Sequence, residues 1–253
     1  MVRIYTAYGL MVVSIPILWI SFIEITGFAP FLVPPPGLVI DVLWSDREIF
    51  LHHTLVTLQG ATIGYVAANI IAISLAVLFL YLPAFEDFAT PWMVVVKNVP
   101  FVVIASIVVI ILGQSMLPRI IVVVLISFFP VYANVQKGLR EVDQVLLDRM
   151  ESLNASKWEV FAYVRWPAAM PYYIAAHEIA FTTSVIGAIV AEWLFASEGL
   201  GYLILRSMSQ YRADKVYAVT VIASVLAIVI LLVIKIIERR VFRYRRSMNN
   251  GAF

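Results

Sequence analysis

The 253-residue chain is 62% hydrophobic and 13% charged, against ~45–50% and ~25% in an ordinary soluble domain, so it is an integral membrane protein. Zero cysteines exclude disulfides and thiolate metal sites, and three histidines are too few for a metal centre. The net charge of +2 gives no reason to expect a nucleic-acid partner, and what informs is where the charges lie.

The first apolar run, Tyr5 to about Ile25, is long enough to cross a bilayer at ~1.5 Å per residue. Pro16 should bend it, and without a small-residue cleavage signature it is expected to be a retained span. From Thr26 the pattern breaks. Pro30, Pro34, Pro35, Pro36 and Gly37 forbid a helix, and Leu38 to Phe50 then predicts a short amphipathic surface helix. The second run, Thr54 to Leu82, is longer than one crossing needs. An acidic turn containing Pro83, Glu86, Asp87 and Pro91 follows, and then a third run from Trp92 to Leu112. Gly113 to Pro118 is a brief turn before the fourth run, Arg119 to about Val135.

The next stretch, Glu141 to Pro171, is polar, charged and long. Val142, Val145, Leu146, Arg149, Met150 and Leu153 recur at helical spacing. Asn154 then supplies the residue type that, after Gly, best adopts the left-handed conformation ending a helix. Ser156 and Glu159 have the spacing of a capping box that starts a second short helix, carried by Trp158, Phe161, Ala162 and Arg165, and Pro167 is expected to force the chain into its next element. Helix, break and helix beside a membrane span predict a docking surface. A fifth run, Pro167 to Phe195, a loop from Ala196 to Lys215 and a sixth run, Val216 to Ile237, complete the expected six crossings. The basic tail from Glu238 to Phe253 is expected to rest on anionic headgroups.

Six crossings put both termini on one side. Arg3, Lys137, Arg140, Arg149, Lys157, Arg165, Lys235, Arg239, Arg240, Arg243, Arg245 and Arg246 lie there, against Arg47, Arg119, Arg206, Arg212 and Lys215 opposite. The positive-inside rule makes the first side, with its polar segment, cytoplasmic in a plasma or inner membrane.

The polar segment resembles the cytoplasmic EAA loop of ATP-binding cassette (ABC) importer permeases: Glu-Ala-Ala, three residues, Gly, nine residues, Ile-x-Leu-Pro. Asp148, Arg149 and Met150 stand in the EAA positions, Asn154 in the Gly position, and Val164, Arg165, Trp166 and Pro167 at the end, with the spacing intact. LVPPPGLVIDVLWS (32–45), KNVPFVVIASIVVIILG (97–113) and AEWLFASEGLGYLI (191–204) resemble further family segments. The nearest subgroup is the one serving nitrate, sulfonate, taurine and bicarbonate uptake, with some vitamin-precursor transporters mixed in. The resemblance implies an all-α membrane protein with the six-helix MetI-like fold of type I importers. Residues 1–53 would hold the first span and an external Pro-rich and amphipathic segment, and 54–253 the permease core with its EAA-type loop at 136–166. It implies a homodimer, served by cytoplasmic ATPase subunits and an extracytoplasmic substrate-binding protein, that conducts a small solute, expected to be an anion of that subgroup's kind.

Asp148, Arg149, Met150, Glu151, Leu153, Asn154, Ala155, Ser156, Lys157 and Trp158 are the expected ATPase-coupling residues. For the translocation path the candidates are Asn69, Asn98, Pro100, Ser106, Thr182, Thr183, Ser184 and Glu192, because polar groups are costly in lipid. Single hydroxyls more often bond their own backbone, and Glu192 has a second reading as a brace for the Gly-rich loop after it. At His177 and Glu178 a hydrogen-bonded pair between helices is expected rather than a proton relay, and His52 and His53 are expected to lie on the surface. Gly199–Tyr202 is expected to turn tightly into an interfacial helix that meets the binding protein. No Gly-x-x-x-x-Gly-Lys-Ser/Thr occurs, so the chain is expected to be neither an ATPase nor any other enzyme, with no catalytic residues, cofactor or metal. The alternative is a carrier or channel not driven by ATP, for which mid-span titratable residues or an inverted repeat would speak.

Overall fold

The computed structural model describes the backbone of residues 2–249 and the side chains of residues 14–194 and 196–236. The element order is α1 (Val2–Thr26), α2 (Pro36–Ser45), α3 (Arg47–Tyr81), α4 (Pro83–Asn98), α5 (Phe101–Leu112), α6 (Met116–Arg140), α7 (Gln144–Ser152), α8 (Lys157–Val160), a π-helical turn (Phe161–Arg165), α9 (Trp166–Phe195), α10 (Leu200–Ser209) and α11 (Ala213–Asn249). The arginines expected to anchor the tail lie outside the residues whose side chains are described.

Helices α3, α6 and α9 form the core. Apolar side chains gain nothing by leaving lipid for a helix interface, so close packing of small residues holds the bundle. Ala68, Ala72 and Ala76 line one face of α3, and Ala169, Ala176, Ala180 and Ala188 one face of α9, all fully or almost fully buried. Phe128, Val131, Tyr132 and Val135 of α6 fill the space between. A Cβ at Gly138 would lie 2.7 Å from the Ala169 Cα, so only glycine allows α6 and α9 to meet there. At the far end, Val39 and Val42 of α2, Phe50, Leu200 and Leu203 of α10, and Ala218 and Val219 of α11 form a second cluster. Val225, Ile228, Val229 and Leu232 remain exposed on α11, as a lipid-facing side requires.

Among the described residues, four helices are long and apolar enough to cross a membrane: Arg47–Tyr81, Met116–Arg140, Lys157–Leu194 and Ala213–Ile236. A fifth exists if α4 and α5, bent by 95° at the break between them, count as one broken span. The stretch Ser14–Thr26 of α1 is a shorter apolar helix. Instead of the continuous third run expected from Trp92 to Leu112, Val99 is extended and Pro100 caps α5. Proline disfavours helical geometry in the residue before it and removes an N–H, so an unbroken helix could not pass. The expected acidic turn at Pro83–Pro91 is itself helical, as the first half of α4. Pro36 and Gly37, expected to stop a helix, open α2, where proline's missing N–H costs nothing. Pro167 does not end the hairpin helix either. The Trp166 N–H reaches the Phe161 carbonyl across one wide turn, and the helix runs unbroken from Lys157 to Leu194.

Candidate functional site

The polar segment between α6 and α9 is a hairpin built by local chemistry. Asp143 accepts a hydrogen bond from the Val145 N–H at 2.9 Å and starts α7. Asp148, Arg149, Met150 and Glu151 lie on that helix. It ends in a Schellman motif: Asn154 takes φ 52°, its N–H bonds the Glu151 carbonyl at 2.9 Å, and the Ala155 N–H bonds Met150 at 3.0 Å. Ser156 and Glu159 then form the reciprocal capping box of α8, with Ser156 N–H to Glu159 Oε2 at 2.7 Å and Glu159 N–H to Ser156 Oγ at 3.2 Å. No residue of α7 is buried. Leu153 is 76% exposed, Trp158 72% and Tyr163 75%, so the tip and outer flank form an uncovered apolar surface between charged groups.

The hairpin is fastened to the bundle through the end of α6. Arg165 Nη1 donates to the Leu139 carbonyl at 2.8 Å, a last-turn acceptor that the helix itself leaves open. Tyr172 donates to Glu141 at 2.6 Å and Tyr81 to the Lys157 carbonyl at 3.2 Å. One turn back, Arg140 and Gln136 both donate to Glu86, tying the start of α4 to the helix that carries the hairpin.

The candidate path residues fall into separate places. Asn98 and Pro100 lie at the α4–α5 break and line a cavity of about 580 Å³ with Lys97, Phe101, Phe129, Pro130 and Asn134 among its walls. Asn69 is buried next to a Tyr65–His177 hydrogen bond, with its Nδ2 on the Tyr65 carbonyl and its Oδ1 unpartnered. Ser106, Thr182, Thr183 and Ser184 donate to carbonyls three or four residues back in their own helices. His177 and Glu178 each face another helix, and His177 makes the expected hydrogen bond between helices. His177 meets Tyr65, and Glu178 meets Lys235 at 4.0 Å.

Glu192 sits at the other end of the bundle, fully buried. Its carboxylate accepts from Thr57 Oγ1 at 2.7 Å and from the Gly201 N–H at 3.2 Å, and pairs with Arg119 at 3.4 Å. Gly199 takes φ 108°, and a Cβ on Gly199 or Gly201 would overlap Glu192 or the α9 backbone, so the loop closes onto the carboxylate only with glycines there. His53 accepts the Gly199 N–H at Nδ1, at 2.9 Å, and is 8% exposed, correcting its expected surface position; His52 is exposed beside Glu198. Thr57, His53 and Arg119 are far from this loop in sequence, and no local pattern marks them. Lys97 and Asn134 are not among the expected path residues, because only the α4–α5 break brings them to one cavity.

The described profile "Binding-protein-dependent transport system inner membrane component" matches residues 60–243. The chain belongs to that family. It is therefore the membrane permease component of an ABC importer, spanning the inner membrane several times. The permease is 31% identical over 205 residues to a "Probable ABC transporter permease protein" of Haemophilus influenzae, covering 81% of this chain and 84% of that one. It is 30% identical over 219 residues to the "Formylaminopyrimidine transport permease protein ThiX" of Halalkalibacterium halodurans, covering 86% and 88%. Its fold matches a chain of the MetNI methionine ABC transporter in an inward-facing conformation with TM-score 0.64 and 16% identity, over 79% of this chain and 98% of that one.

Proposed function

We propose that two copies of this permease enclose a path for a small solute, and that the α7–α8 hairpin of each receives the stroke of a cytoplasmic ATPase subunit. The observation that carries this is the hairpin. Two capping motifs give it one defined shape, yet Leu153, Trp158 and Tyr163 stay largely exposed on it. A surface both rigid and uncovered suits docking into a cleft better than resting on lipid, because preorganisation lowers the cost of binding.

The excess of Lys and Arg around the hairpin supports a cytoplasmic position for it and for both termini. Helix α4 has no buried residue, although it lies between two spans, which supports a second permease copy packed against it. The glycine loop clipped by Glu192 and the α10 that follows it then face outward, where a substrate-binding protein would deliver its cargo. Lys97, which forms no ion pair among the described residues, supports a solute carrying negative charge, of the sulfonate, taurine, nitrate or bicarbonate kind.

The chain's lack of cysteine permits a clean test. Leu153→Cys and Trp158→Cys are expected to cross-link to a co-purified ATPase subunit, and Asp148→Lys to abolish solute-stimulated ATP hydrolysis. Labelling of either cysteine by an impermeant reagent on intact cells would overturn the orientation and the coupling together.

A further inference from the structure

The cavity at the α4–α5 break has a chemistry that selects among small solutes. Lys97 is the one ionisable side chain lining it, and no carboxylate lies within ion-pair distance of Lys97 among the described residues. A lysine near a break in a membrane helix is normally paired or held toward water. This one borders a concave space with no counter-charge among the described residues.

The rest of the wall is largely apolar, with two side-chain amides set in it. Asn98 donates its Nδ2 to the Val94 carbonyl at 2.7 Å, and Asn134 its Nδ2 to the Pro130 carbonyl at 2.8 Å. A carbonyl can only accept, so these bonds fix both amides and leave each Oδ1, with one N–H of each amide, free of them. Ile126 also lines the cavity, and its carbonyl has no helical partner because residue 130 is proline. Phe101 and Phe129 supply flat apolar faces.

We propose that this cavity is a solute-binding site for small molecules carrying both an acidic group and N–H donors, with planar ones favoured. The acid pairs with Lys97 and the donors meet the carbonyl oxygens of Asn98, Asn134 and Ile126. A bare inorganic or alkyl anion satisfies the lysine but leaves the acceptors unpaired, which a largely apolar site penalises. The inference rests on the permease reading and narrows it, since it separates amino-acidic solutes from nitrate, bicarbonate and simple sulfonates.

The test uses the complete transporter with its ATPase subunits in nanodiscs, without a binding protein, and measures equilibrium binding of two matched pairs by calorimetry. The pairs are 4-aminobenzoate against benzoate and taurine against ethanesulfonate. Each amine-bearing member is expected to bind at least ten-fold more tightly than its counterpart. Lys97→Gln should weaken all four by about ten-fold or more, Lys97→Arg should retain binding, and Asn98→Leu with Asn134→Leu should erase the difference within each pair. Equal binding within both pairs, indifference to Lys97→Gln, or binding of none of the four overturns the site. Co-purification of wild-type permease with its ATPase is scored separately. If it holds while binding fails, only the cavity's chemistry is wrong; if the ATPase does not travel with the chain, the permease reading fails first.

Discussion

Replacing Asn154 by proline tests whether the hairpin's shape transmits force. Asn154 sits at φ 52°, whereas the proline ring holds φ near −65°. The substitution also removes the N–H that bonds Glu151 at 2.9 Å, and displaces the neighbouring Ala155 N–H from Met150 at 3.0 Å. Proline in place of a bonded backbone donor costs about 3 kcal/mol or more, the lost bond included, and the displaced Ala155 bond adds about 0.5–1.5 kcal/mol. A total of roughly 4 kcal/mol, at 1.4 kcal/mol per factor of ten, leaves about one molecule in a thousand with the present hairpin. Asn154→Gly is the control, since glycine adopts the same conformation with less strain. The assay is solute-stimulated ATP hydrolysis by the reconstituted transporter. Asn154→Pro should fall to the unstimulated rate while Asn154→Gly stays at or above wild type, with both variants assembled to the same extent. Wild-type stimulation in the proline variant refutes the argument, because coupling would then not depend on this turn.

Glu192→Ala should destabilise the detergent-solubilised protein by about 3–5 kcal/mol, because it leaves Arg119 nearly buried without a counter-charge; Glu192→Gln should cost less, and chemical denaturation followed by tryptophan fluorescence compares them. Gly138→Val should lower stability by about 1–3 kcal/mol by wedging α6 from α9, read as earlier loss of the monodisperse peak on heating before gel filtration. Ser156→Ala should cost about 1 kcal/mol of local helix stability and show as faster proteolysis confined to the hairpin. Glu86→Ala removes a partly exposed tie and should change global stability by less than about 1 kcal/mol while reducing solute uptake, since α4 would no longer follow α6.

Hairpin details were legible in the sequence because short-range chemistry determines them. Asn154, Ser156 and Glu159 act on backbone groups within four residues, and all three occupy their expected roles. The apolar runs likewise located α3, α6, α9 and the apolar part of α11. What the sequence hid was tertiary. Hydrophobicity is continuous through Val99–Phe101, so nothing in the composition announces a 95° bend; only a proline does, and Pro130 and Pro171 sit inside helices that continue. Pro167 shows the same ambiguity, resolved by a wide turn that no residue pattern encodes. The outer brace depends on Thr57 meeting Glu192 across 135 residues of chain, and His53 looked like a surface residue because its acceptor role needs Gly199 to be folded back against it.

The unbroken helix from Lys157 to Leu194 has a mechanical meaning. Its 38 residues make a beam roughly 57 Å long at ~1.5 Å per residue. The beam carries Trp158 near one tip, and near the other the carboxylate that clasps the glycine loop. Tilting it by about 10° about one end swings the opposite tip by roughly 10 Å, on that same length. On the coupling proposed above, a nudge at the hairpin reaches the glycine loop through one helix, without any relay of intermediate joints.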